Sequence, residues 1–108
     1  MSPESPDDSP WSPRVDTEVN STGELMVLVE LAGMSREDLE LAVEGQKLSI
    51  KGRRPHRSQG CASRLISEIR WGSFERSLDI PGKFDLSHAS ACYQNGILRV
   101  TVPPHLTR

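Results

Sequence analysis

From Leu25 to Val102 apolar residues recur with a period of two and a turn signal interrupts them every few positions, a rhythm that suits short β-strands and not helices. Leu25, Val27, Val29 and Leu31 share one side of the first clear strand, and Met26, Leu28 and Glu30 the other. The central part is apolar on both faces, so something must cover it. The strand ends at Gly33, where Ser35 and Asp38 have the spacing of a capping box and predict one helical turn over Ser35-Arg36-Glu37-Asp38. Leu39, Leu41 and Val43 alternate with Glu40, Ala42 and Glu44 and predict a half-buried strand. The turn Gly45-Gln46 joins it in a hairpin to a strand in which Leu48 and Ile50 alternate with Ser49 and Lys51. Further on, Leu65, Ser67, Ile69 and Trp71 share one parity and Phe74, Arg76, Leu78 and Ile80 the other, which predicts a β-bulge at Gly72. After Pro81 the polar stretch 82–88 reads as a connection. Ala89, Ala91 and Tyr93 begin a strand that stops at Asn95-Gly96, a hairpin turn in which both positions accept positive φ. On the last strand Leu98, Val100 and Val102 face one way, and Pro103 and Pro104 end it because neither can donate to a ladder. The sum is an all-β fold, a two-sheet antiparallel β-sandwich.

At 108 residues the chain suits one domain, since two would each be marginal. Ahead of it, residues 1–13 hold four of the eight prolines, interleaved with serines and acids; such a stretch predicts a disordered arm whose one sticky residue is Trp11. The net charge of −2 points to no nucleic-acid or acidic ligand. Residues 51–64 read as a loop with Lys51, Arg53, Arg54, Arg57 and Arg64 and no acids, but without the interleaved aromatics of a nucleic-acid site, so a solvated loop is the simpler account. Cys61 and Cys92 read as free thiols, not a disulfide framework or a zinc site. No apolar run approaches the roughly 20 residues that span a bilayer, and a soluble, cytoplasmic protein is expected. His56, His88 and His105 stand at no telling distance from a nucleophile, and no phosphate loop or carboxylate pair is visible; no catalytic role, metal or cofactor is expected.

Between about residues 11 and 104 the chain resembles the alpha-crystallin domain of small heat-shock proteins. The most specific part is Pro81, fourteen residues, then Gly96-Ile97-Leu98, with Ala91 and Asn95 completing an Ala-x-x-x-Asn-Gly-x-Leu pattern. Equally close is Gly72-Ser73-Phe74-Glu75-Arg76 running to Ile80-Pro81. Trp11-x-Pro13 with Val15-Asp16, Glu30-Leu31-Ala32-Gly33-Met34 followed by Glu37-Asp38-Leu39, and Leu48-Ser49-Ile50-Lys51-Gly52 add to it. The chain departs from the family where Ala32 replaces the usual proline and Arg53 the usual glutamate. Its tail after the two prolines, His105-Leu106-Thr107-Arg108, lacks the isoleucine-x-isoleucine or valine motif that docks into a neighbour's groove, and its arm is short, so assembly beyond a dimer is not expected.

The resemblance implies an immunoglobulin-like sandwich over residues 14–104, flanked by the arm 1–13 and a short tail 105–108. It implies an ATP-independent holdase that binds unfolding client proteins through exposed strand edges. The client or tail groove would lie between the strand of Leu39, Leu41 and Val43 and that of Ala89, Ala91 and Tyr93, although alternating residues such as these can equally fill a core. Arg76, which shares parity with Phe74, Leu78 and Ile80, would lie at the interface of a homodimer; the plainer alternative is a solvent-facing arginine. The segment between Gly52 and Gly72 is long enough to hold a further strand that pairs with a partner subunit. Other small heat-shock subunits are further candidate partners, in which case the chain would be a regulatory dimer or a co-chaperone-like interaction module.

Overall fold

The computed structural model describes residues 10–56 and 60–106. The expectation for the first nine residues of the arm lies outside them. Among the described residues seven strands follow one another: β1 (Val15–Val19), β2 (Leu25–Glu30), β3 (Leu39–Glu44), β4 (Lys47–Arg54), β5 (Gly72–Asp79), β6 (Ser90–Gln94) and β7 (Ile97–Val102). They form two antiparallel sheets, one ordered β1-β2-β7-β6 and the other β3-β4-β5. The sandwich read from the alternation is therefore the fold.

Its core is made by the parity already visible in the sequence. Leu25, Val27 and Val29 of β2 and Leu98, Val100 and Val102 of β7 are buried, with Leu48 and Ile50 of β4 and Phe74 of β5 in the same cluster. Each such side chain contributes about 1.5–3 kcal/mol on leaving water. Register follows from two tight turns. Glu44 lies opposite Lys47 across Gly45-Gln46, and Gln94 opposite Ile97 across Asn95-Gly96, where Asn95 and Gly96 take φ of 55° and 80°. Between β2 and β3 a 3-10 turn, Arg36–Asp38, starts at Ser35, whose N–H donates to the Asp38 carboxylate at 2.9 Å, as the capping-box spacing predicts.

Five local expectations are corrected. Strand β4 does not give way to a loop at Lys51 but runs to Arg54, because Lys51, Gly52, Arg53 and Arg54 find partners in Glu75, Phe74, Ser73 and Gly72. Residues 65–71 form no strand and Gly72 no bulge; Gly72 opens β5 at φ 90°, and Leu65, Ile66 and Ile69 stand 96%, 76% and 61% exposed. Met26 and Leu28 are only half-buried, since their face of β2 is the outside of the four-stranded sheet. The connection 82–88 is not merely polar: Phe84 and Leu86 are buried core residues, and Phe84 bridges to Pro104. Finally, Trp11 does not belong to a disordered arm. It is 8% exposed and bridges Phe74 of β5.

Candidate functional site

β3 is an edge of its sheet and β6 an edge of the other, and the two edges flank one groove. A cavity of about 270 Å³ opens between them, with Leu41 and Val43 on one wall and Ala89 and Ala91 on the other. Leu48 and Val100 are among the residues beneath, and Leu86 and Ser87 of the β5–β6 connection also contribute. The expected half-buried β3 is thus corrected: Leu41 and Val43 are 39% and 49% exposed, because they line the open cavity between the two sheet edges. Of the six residues expected in the groove, Leu41, Val43, Ala89 and Ala91 line it. Leu39 and Tyr93 lie outside its lining and pack against the core instead, with the Tyr93 hydroxyl donating to the carbonyls of Leu31 and Met34.

The register fixes what the groove can bind. A two-residue turn makes Glu44 and Lys47 exchange both backbone bonds, so the groups of Glu44, Ala42 and Glu40 point to β4 and those of Val43 and Leu41 point to the free edge, while the Leu39 N–H caps the 3-10 turn by donating to Arg36 O. By the same alternation Gln94, Cys92 and Ser90 bond to β7, and Tyr93 and Ala91 present theirs outward. At Leu41, Val43 and Ala91 an apolar side chain facing the groove thus coincides with backbone groups turned to a free edge. An extended apolar segment matches both features.

Several side chains that the sequence did not mark hold this geometry. The Gln46 amide in the β3–β4 turn reaches the carbonyls of Ile80, Pro81 and Phe84 at 3.0, 3.1 and 3.2 Å, tying the hairpin to the connection that forms one end of the groove. On that connection Asp85 takes a hydrogen bond from the Ser87 hydroxyl at 2.6 Å and lies 2.7 Å from His88 Nδ1. The Ser87 bond, then the bond and charge of His88, hold the Asp85 carboxyl below its ordinary range. Leu86 was legible only as one of two apolar residues spaced two apart in a polar stretch.

Arg76 lies on the far edge strand, β5. It is half-buried, opposite Ile50, and its Nη1 donates to the Pro13 carbonyl at 3.1 Å, a carbonyl partner of the kind that a partly buried guanidinium needs. His56, His88 and His105 lie outside the strands, and no cluster among the described residues could hold a metal ion. No helix of the described residues is long and apolar enough to cross a membrane.

A family model described as Hsp20/alpha crystallin matches residues 17–108. The chain is 35% identical over 97 residues to heat shock protein 16 of Schizosaccharomyces pombe, covering 85% of this chain and 66% of that protein. It is 30% identical over 92 residues to small heat shock protein C2 of Rickettsia felis, covering 84% of this chain and 59% of that one. The chain spans somewhat under two-thirds of the length of these relatives. Among solved structures, a small heat-shock protein from Xylella fastidiosa, described as having a distinct high order structure, superposes with a TM-score of 0.81 at 28% identity, covering 93% of this chain and 92% of that one.

Proposed function

This chain belongs to the Hsp20/alpha crystallin family, and on that premise we propose that it is an ATP-independent holdase that captures extended apolar segments of unfolding proteins in the groove between β3 and β6. The observation that carries the proposal is the coincidence, at Leu41, Val43 and Ala91, of exposed apolar side chains with backbone groups turned to a free edge. Strand addition there satisfies unpaired N–H and C=O groups whatever the client sequence, and the apolar walls select for segments that a folded protein keeps inside. Ala89 adds to the groove wall, and Leu39 and Tyr93 belong to the strands that carry the site. No chemical step is required of the protein. The working unit is a homodimer, with Arg76 near its interface, in a cytoplasmic setting.

The test is light scattering of a heat-aggregating client with and without this protein, together with its mass from size-exclusion chromatography with multi-angle detection. Suppression at near-stoichiometric amounts is the expected result. Unchanged aggregation would leave the chain a regulatory subunit of other assemblies.

A further inference from the structure

The far edge of the three-stranded sheet, at β5, is already occupied. Residues 11–13 lie along it as an added parallel strand: the Trp11 N–H donates to Ser73 O at 3.1 Å and Trp11 O accepts from the Glu75 N–H at 2.9 Å. The Ser12 hydroxyl donates to Glu75 O at 2.8 Å, and Arg76 donates to Pro13 O at 3.1 Å. The indole fills a slot in which its centroid lies 5.2 Å from that of Phe74, the Arg54 guanidinium sits 4.3 Å over its ring, and its Nε1–H donates to Gly72 O at 3.2 Å.

Two properties distinguish this slot from ordinary packing. Its walls are anchored apart from the indole: Phe74 is fixed in β5 opposite Gly52, and Arg54 is held by the carbonyls of Ala32 and Arg70 at 2.9 and 2.8 Å. Nearly every contact the occupant makes uses its own main chain or an aromatic ring, so another extended segment with an aromatic residue in that place repeats them. The occupant is a short stretch at the edge of β5 held by one buried side chain, Trp11, so its hold depends on that anchor.

We propose that the slot between Phe74 and Arg54, with the β5 edge at Ser73 and Glu75, is a second peptide-binding site for an extended unfolded segment bearing a large aromatic side chain, and that Trp11-Ser12-Pro13 closes it in cis as a displaceable strap. The proposal rests on the holdase reading for the identity of the occupant, but the slot lies on the opposite edge of the sheet from the β3–β6 groove. Being tethered, the strap competes at an effective concentration on the order of millimolar, so an incoming segment gains access when the strap's anchor is weakened.

The test uses the full chain and a capped synthetic peptide of residues 8–14 with 5-fluorotryptophan in place of its tryptophan, followed by fluorine NMR. With the Trp11→Ala protein the peptide resonance should shift and broaden, with a dissociation constant at least about tenfold below that for the unaltered protein. The peptide with alanine in place of the fluorotryptophan should not displace it. A Trp11→Phe protein, which keeps an aromatic anchor, should bind with intermediate affinity; it replaces the alanine variant if circular dichroism shows that one unfolded. Equal affinity for unaltered and variant proteins, or no binding to a folded variant, overturns the proposal. A variant that suppresses client aggregation yet binds no peptide removes the slot alone and leaves the groove reading intact.

Discussion

At position 52 the backbone of β4 passes so close to its neighbours that no side chain fits. A Cβ on Gly52 would lie 2.0 Å from the Asp38 carbonyl oxygen and 2.9 Å from the tip of the Phe74 ring. Gly52→Ala must push the 3-10 turn or the core phenylalanine aside, and overpacking of that kind costs about 1–3 kcal/mol. Urea unfolding should show a lower midpoint with an unchanged slope; an unchanged midpoint would mean that the turn yields freely. Asp85 offers a second test, through pH. Its folded-state pKa is depressed below the ordinary 3.8, first by the Ser87 hydroxyl bond and then by His88 and the charge of His105, with desolvation opposing. Its contribution to stability is therefore present above 3.8 and lost as pH falls through the lower folded value. The thermal midpoint of the unaltered protein should exceed that of Asp85→Asn near neutral pH, and the gap should close by about pH 2. A gap that persists in acid would assign the effect to something other than the carboxylate's charge.

At the scale of the element, β3 carries the functional reading. A lysine at position 43 points into the groove from an edge strand, so it can reach water and should change stability by no more than about 0.5 kcal/mol. It should nonetheless weaken client capture, since it places a charge where an apolar segment docks. Val43→Lys should therefore keep its unfolding midpoint and lose much of its suppression of aggregation; full suppression would move the client site away from this wall. The sequence made β3 legible as a strand and showed which of its residues share a face, because period two follows from backbone geometry alone. It did not show that Leu41 and Val43 would be exposed, since alternation gives direction and not what lies opposite. Trp11 was misread for the reverse reason: flanking prolines and serines look like a chain that cannot fold, whereas its anchor, the slot of Phe74 and Arg54, lies more than forty residues away. Tyr93 fitted the groove pattern, but its hydroxyl is drawn off to the carbonyls of Leu31 and Met34.

At the scale of the whole molecule, the sheet faces and edges are not treated alike. The outside of the β3-β4-β5 sheet is laced with rows of opposite charge, Glu40-Lys51-Glu75 and Glu44-Lys47-Asp79 in register, which keep that face in water. Against this, the segment 60–71 leaves Leu65, Ile66 and Ile69 exposed, and an apolar cluster of that kind is suited to being covered by another chain. The alternation of Leu65, Ser67, Ile69 and Trp71 is a strand signal, yet among the described residues these pair with no strand of their own chain. A partner's sheet edge would supply what is absent, which is the reason to place this segment in a strand-exchanged homodimer. Replacing Leu65, Ile66 and Ile69 together by serine removes the apolar surface without touching the core, so the far-ultraviolet spectrum and unfolding slope of the monomer should be retained. The mass from multi-angle scattering should fall from dimer to monomer at micromolar concentration. If the triple variant remains a dimer, the exchange does not run through this segment, and the interface must be sought at Arg76 and the β5 edge.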